Sequence, residues 1–143
     1  LARAVAQDAA PAAISAGADF GFEGPAEHEP ALMIRGHALL LREALTNLID
    51  NAILYAGREA RITLRARRDA QLVYLELEDN GPGLPDEQMT HAFERFFRAS
   101  DAPGGAGLGL AIVQEIARRH GGQARMLHVS PQGLLVQISI PPA

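Results

Sequence analysis

From Glu43 to Ala52 the chain reads Glu-Ala-Leu-Thr-Asn-Leu-Ile-Asp-Asn-Ala, placing a carboxylate and two carboxamides at four-residue intervals. At about 100° per residue, Glu43, Asn47, Asn51 and Tyr55 share one slanting polar stripe of a helix. Leu41, Ala44, Leu45, Leu48 and Ala52 form an apolar stripe beside it. The apolar stripe requires a core to lie on, so this helix must be one layer of a packed domain. The polar stripe needs its own reason, because Asn competes for backbone groups and is a poor helix-interior residue. Two such residues one turn apart fit either a site or a pair that caps a loop or faces water.

The chain has 143 residues, 48% of them hydrophobic, which makes one domain with a sizeable core. A formal charge of −4 argues against a nucleic-acid or polybasic membrane partner. Without cysteine there are no disulfides, thiolate metal sites or cysteine nucleophile, as suits a cytosolic compartment. No apolar run approaches the roughly 18 residues that span a bilayer. The first residue is Leu1, not Met, so a longer parent protein is expected.

The spacing of Leu1, Val5 and Ala9 predicts a short helix over Leu1 to Ala13, ending near Pro11. Short strands are predicted at Asp19–Glu23 and Ala31–Arg35, then a helix from about Ala38 to Ala56 that Gly57 stops. Ala60–Arg68 and Gln71–Glu78 read as a hairpin, as do Ala124–Val129 and Leu134–Ile140. Between the hairpins, Leu110–His120 is a helix with Ile112, Val113, Ile116 and Ala117 on one face and Gly121-Gly122 as its stop. His120, at that helix's C-terminus, sits where a positive charge is favourable. Asp79 to Gly109 has loop composition, with partial helix only in Pro85–Phe97, and so long a loop in a compact domain is usually functional. Helices and strands mix without strict βαβ alternation, which predicts an α+β, two-layer sandwich of three helices on a mixed, mostly antiparallel sheet.

Three further stretches carry chemistry. Asp79-Asn80-Gly81-Pro82-Gly83 puts a carboxylate at a strand end before two glycines, fit to accept from an exocyclic amine or simply to turn the chain. Gly105-Ala106-Gly107-Leu108-Gly109 opens a helix, where bare N–H groups favour phosphate, though a flexible loop has the same composition. It is neither a P-loop nor a dinucleotide fingerprint. Phe93-Glu94-Arg95-Phe96-Phe97-Arg98 holds three of the five Phe beside two Arg, as either a loop anchored by its aromatics or a surface turn. The five histidines lack metal-ligand spacing.

Taken in order, Glu43-x-x-x-Asn47-Leu48-x-x-Asn51-Ala52, Asp79-x-Gly81-x-Gly83, the Phe93–Arg98 box and Gly105-x-Gly107-Leu108-Gly109 resemble the ATP-binding catalytic domain of bacterial sensor histidine kinases. That domain belongs to the GHKL superfamily, with DNA gyrase B, MutL and ATP-driven chaperones. The resemblance covers residues 36–142 by motif, and residues 1–143 by length as a single catalytic domain.

The resemblance implies ATP and Mg²⁺ as ligands, with Asn47 on the metal and Asn51 beside it toward phosphate or the metal's waters. It casts Glu43 as the group polarising the attacking histidine, a general-base role. Tyr55 would line the nucleotide pocket, Asp79 would receive the adenine amino group, and Gly81 and Gly83 would let the backbone close over the base. Pro85 to Gly104 would form the lid, anchored by Phe93 and Phe96 with Arg98 near the phosphates. Gly105, Gly107, Leu108 and Gly109 would cradle phosphate.

The implied partners are a separate dimerisation domain bearing the phosphoacceptor histidine, upstream of Leu1, and a response regulator. Nucleic acid is not among them. The whole protein would be a homodimer in the plasma membrane with this domain in the cytoplasm, and this chain alone would bind ATP yet label itself poorly. Similar alternatives are a stand-alone serine kinase that binds a sigma factor and a degenerate nucleotide-sensing module. One departure stands out: Leu54 occupies a position where the family commonly has Lys, Arg or His. ATP binding is therefore expected to need millimolar-range Mg²⁺ to offset phosphate charge.

Overall fold

A computed structural model describes residues 1–25, 32–94 and 109–143. The elements run α1 (Ala2–Ser15), β1 (Asp19–Glu23), α2 (Ala38–Tyr55), β2 (Arg61–Arg68), β3 (Val73–Asp79), α3 (Asp86–His91), α4 (Gly109–Arg119), β4 (Gln123–His128) and β5 (Leu134–Ile140). The strands form one sheet in the order β1-β2-β3-β5-β4, with only β1 and β2 parallel. A parallel pair needs a long crossover, and α2 supplies it. The expected mixed, mostly antiparallel sheet under a helical layer is therefore observed.

Strand alternation sends Ile62, Leu64, Leu75, Leu77, Val136, Ile138 and Ile140 to one face. There they meet Val5 and Ala6 of α1, Leu41, Ala44, Leu45, Leu48, Ile49 and Ala52 of α2, and Val113, Ile116 and Ala117 of α4. The apolar stripe read from the sequence of α2 is thus the centre of the core. Both hairpins form as expected. The first turns on Asp69, whose Oδ1 accepts the N–H groups of Gln71 and Leu72, both at 2.8 Å. Gly57, with φ 92°, follows the end of α2.

Three local expectations are corrected. First, α1 continues through Pro11 to Ser15. Gln7 and Pro11 are exposed, so water can satisfy the carbonyl that Pro11 leaves without a donor, while buried Val5, Ala6 and Ala13 hold the helix on the core. Second, the described part of the second short strand, residues 32–35, is not a strand. Its alternation survives as burial, with Ile34 packed on the core and Met33 62% exposed, and Met33 takes one backbone bond, from the Ala143 N–H at 2.9 Å. Third, Ile112 is 37% exposed and not part of the buried face of α4.

On the other face of the sheet a carboxylate is buried. Glu76, 2% exposed, accepts both Arg67 Nε at 2.9 Å and Arg67 Nη2 at 3.2 Å, and Gln137 Nε2 at 2.7 Å. Arg65 Nη1 lies 3.6 Å from the same carboxylate, and the Arg67 guanidinium stacks 4.2 Å from the Tyr74 ring centre. Burial pushes the Glu76 carboxyl up, but the bonds from Arg67 and Gln137 and the two nearby guanidinium charges outweigh it. The group ends below the ordinary 4.5. Among the described residues no helix is long and apolar enough to cross a membrane.

Candidate functional site

A cleft of about 770 Å³, measured out to its open mouth, lies between α2, the ends of β3 and β5, and α4. Its floor and walls are apolar, with Leu48, Ala52 and Ala56 from α2, Leu77 from β3, Leu110 from α4, and Met126, Leu134 and Val136 from the closing hairpin. Asn51 and Tyr55 of the polar stripe also line it. Among the described residues the only ionisable lining group besides Tyr55 is Asp79, the last residue of β3.

Asp79 is held by backbone donors. Its Oδ1 accepts the Gly81 N–H at 2.9 Å, and the carboxylate also takes the N–H of Leu134, its partner across the sheet. Burial raises the carboxyl above the ordinary 3.8, and these two bonds only partly offset it. A charge kept partly desolvated in an apolar cleft, with no cation beside it among the described residues, suits a ligand that brings its own hydrogen-bond donor.

The turn after Asp79 is clamped from three sides. Asn80 Oδ1 accepts the Arg61 N–H at 2.6 Å, and the Asn80 N–H returns to Arg61 O at 3.2 Å. Gln132 Nε2 donates to Asn80 O at 3.2 Å from the closing hairpin. Gly81 is buried against the end of α2, where a Cβ would lie 2.6 Å from the Ala56 Cα, so only glycine fits. Gly83, with φ 74°, lines the cleft in a conformation natural to glycine.

Of the residues the sequence singled out, Asn51, Tyr55, Asp79 and Gly83 thus converge on one cleft. Gly81 supports it from behind. Asn47, half-buried, and Glu43, exposed, lie one and two turns earlier on α2 along the stripe through Asn51, outside the enclosed part of the cleft. Gly109 opens α4. Arg98, Gly105, Gly107 and Leu108 lie outside the described residues, as does Phe96. Phe93 is half-buried and packs against the core. Leu54 is 38% exposed.

The sequence reading did not assign Leu84, Ala92, Met126, Leu134 or Val136 to the site. For Met126, Leu134 and Val136 the only signal is strand alternation in the last hairpin, which says that a residue faces the helices but not that it faces an open cleft. Among the described residues no group of three or more His, Asp and Glu side chains is placed to hold a metal ion. A divalent cation would therefore depend on the carboxamides of α2 and on ligands it arrives with.

Comparison with known proteins agrees with this geometry. Residues 36–143 match the model of the histidine kinase-, DNA gyrase B-, and HSP90-like ATPase family. The chain is 39% identical over 106 residues to the sensor histidine kinase GtrS of Pseudomonas aeruginosa, covering 74% of this chain and 22% of that protein. The fold matches full-length ShkA solved in complex with AMPPNP, with a TM-score of 0.83, 27% identity, and 99% of this chain and 29% of that one covered. It also matches the histidine kinase ThkA solved in complex with the response regulator protein TrrA, with a TM-score of 0.80, 25% identity, and 99% and 39% covered. The chain spans less than a third of these curated relatives, 22% of GtrS and 28% of the sensor-like histidine kinase SenX3 of Mycobacterium tuberculosis. A family model that covers most of the chain, a sheet-and-helix layer shared with kinase catalytic domains, and a cleft built around Asp79 lead to one assignment. The chain belongs to the histidine kinase-, DNA gyrase B- and HSP90-like ATPase family, as an ATP-binding catalytic domain of the sensor histidine kinase type.

Proposed function

We propose that this domain holds ATP with its adenine in the cleft against Asp79 and its phosphates toward Asn51, Asn47 and Glu43, and serves transfer of the γ-phosphoryl group to a histidine on a separate dimerisation domain. The observation that carries the reading is the cleft itself. It is an apolar slot for a flat base, ends on one half-buried acceptor, and opens onto the polar stripe of α2. Asp79 accepts the adenine amino group, and Tyr55 and the apolar walls cover the ring. Gly81 and Gly83 fix the turn that carries the acceptor.

Along α2 the roles follow distance from the base. Asn51 faces the phosphates, Asn47 supplies a neutral oxygen to Mg²⁺, and Glu43 accepts a proton from the attacking imidazole or orients it. When bound, Mg²⁺ neutralises phosphate charge. Arg98, Gly105, Gly107, Leu108 and Gly109 complete the phosphate end. Transfer of this kind depends on positioning and charge neutralisation more than on covalent chemistry of the protein.

In the same reading residues 1–143 act as one catalytic domain of a longer, homodimeric protein at the plasma membrane. The dimerisation domain carries the phosphoacceptor histidine, and the phosphoryl group passes on to a response-regulator aspartate. The small share of each curated relative that this chain spans supports such a parent, and the ThkA complex supports the relay.

Calorimetric titration with a non-hydrolysable ATP analogue tests the site. Binding is expected to strengthen steeply with millimolar Mg²⁺, because exposed, apolar Leu54 offers no charge to the phosphates. Asn47→Ala should remove most of that Mg²⁺ dependence, weakening Mg²⁺-nucleotide binding about tenfold, the scale of one lost ligand or strong hydrogen bond. Failure of the wild-type chain to bind at any Mg²⁺ concentration would leave a degenerate module as the better description. Tight binding without Mg²⁺ would overturn the role given to Leu54.

A further inference from the structure

The residue that fixes the start of α2 lies just past the end of another helix. His37 is the N-cap of α2, and its side chain makes no capping bond. Its backbone N–H donates instead to Nε2 of His120, just past the end of α4, at 3.0 Å. The other ring nitrogen of His120, Nδ1, lies 2.7 Å from the carbonyl oxygen of Ile116. A carbonyl only accepts and a backbone N–H only donates, so Nδ1 carries the proton and Nε2 is bare. Both bonds coexist only with a neutral ring. A positive charge would be favourable at this helix terminus, but these two bonds call for the neutral ring.

Two further observations mark the contact as built. The rings of His37 and His120 meet edge to face, with centres 6.1 Å apart and planes at 78°. The residue before His37 is Gly36, and a Cβ there would overlap the imidazole of His120 at both Cδ2 and Nε2. The chain approaching α2 is thus cut down to glycine to admit this ring.

The geometry points to His120 as a positioning residue: its neutral imidazole ties the first turn of α2 to the end of α4, and thereby sets the phosphate end of the polar stripe. Glu43 and Asn47 lie in the second and third turns from that tie, whereas Tyr55 is at the far end of the helix and Asp79 is on β3. A frayed first turn reaches the near residues first. The tie therefore acts on how the nucleotide's phosphates are held and leaves recognition of the base alone. This assignment of ends rests on the proposed function; the tie itself does not.

The test uses this chain and four variants: His120→Ala, His120→Gln, Gly36→Ala, and the double variant Gly36→Ala/His120→Ala. In the wild type, nitrogen-detected NMR is expected to find His120 as the neutral Nδ1–H tautomer. His120→Ala and Gly36→Ala should each speed amide exchange at residues 37–41. Each should also weaken binding of AMPPNP with Mg²⁺ about fivefold, the scale of a lost helix cap, with Mg²⁺-free ADP within twofold of wild type. His120→Gln, whose amide offers both an acceptor and a donor, should recover most of both effects. The double variant should be no worse than His120→Ala, because the new methyl then has no ring to meet.

A general loss of stability would weaken both nucleotides alike, and that result would overturn the proposal. So would additive effects in the double variant, or a charged or Nε2–H ring in the wild type. If the wild type bound neither nucleotide, the functional reading would fall, and the tautomer and exchange results would still decide whether the tie exists.

Discussion

Asp79→Asn is expected to cut ATP-analogue affinity by about 100-fold and, at neutral pH, to raise the melting temperature of the nucleotide-free chain by a few degrees. The two effects have one cause. Burial in the apolar cleft raises the Asp79 carboxyl above its ordinary value, so ionising it opposes folding. With the folded value raised, the favourable contribution of Asp79 is present at low pH and lost as pH climbs through the raised value. The amide carries no such burden and still has an oxygen for the Gly81 N–H. It cannot accept from the adenine amine as a carboxylate does, and a bond to a charged acceptor is worth roughly 1.5–3 kcal/mol. Its own NH₂ then faces another donor. The remaining check is pH: wild-type affinity should fall as acidification protonates Asp79, and that step should vanish in the variant. Calorimetry over a pH series reads both. Unchanged affinity in Asp79→Asn would remove the adenine from this cleft.

Glu76→Ala is expected to do the reverse, destabilising the fold by about 2–3 kcal/mol with nucleotide affinity unchanged. Breaking a buried ion pair from one side costs about 3–5 kcal/mol, and leaving a buried polar partner unsatisfied about 1–3 kcal/mol. The figure is discounted because the side chains of Arg67 and Arg65 keep 45% and 25% of their surface in water, which takes up part of the loss. Glu76 is held below its ordinary value, so its stabilisation is complete above pH about 4.5 and is lost as pH falls through the depressed value. Denaturant unfolding with unchanged slope, measured at pH 7 and again near pH 3, should show the wild type and the variant converging in acid. Two carboxylates three residues apart on one strand thus point to opposite faces, with opposite shifts and opposite consequences of removal.

What the sequence made legible was whatever a local period or a fixed spacing encodes. The two faces of α2, both hairpins and the Asp79 turn are of this kind, because helix and strand periods and turn chemistry act over a few residues. The parallel pairing of β1 with β2 was not legible, since its register is set by the crossover through α2 and not by either strand. Pro11 misled because one missing donor on a wet face is outweighed by three buried side chains on the other. Residues 32–35 misled because alternation reports which side is buried, not whether a neighbour completes the ladder. The buried state of Glu76 depends on Arg67 and Gln137, on different strands. The bond from His120 to His37 joins residues whose proximity only the packing of α4 on α2 creates. In the site, the polar residues announced themselves by type and spacing, whereas Met126, Leu134 and Val136 differ from ordinary core only in having a cleft above them.

The sheet order has a consequence for how the chain comes apart. Residues up to Asp79 build α1, α2 and the β1-β2-β3 side, and residues from Gly109 build α4 and the β4–β5 hairpin. Each part is held by pairings within itself, and they join along one seam, where β3 pairs with β5 and α2 packs on α4. The cleft lies on that seam, with Leu48, Asn51 and Asp79 on one bank and Leu110, Met126 and Leu134 on the other. Neither part alone contains half of a working pocket in any useful sense, since the carboxylate of Asp79 is oriented by the N–H of Leu134. Closing the seam also closes the longest loop in the sheet, the step that chain entropy resists most. A bound nucleotide would therefore act as a rivet across the joint, binding only chains whose two parts have docked and coupling their unfolding into a single event.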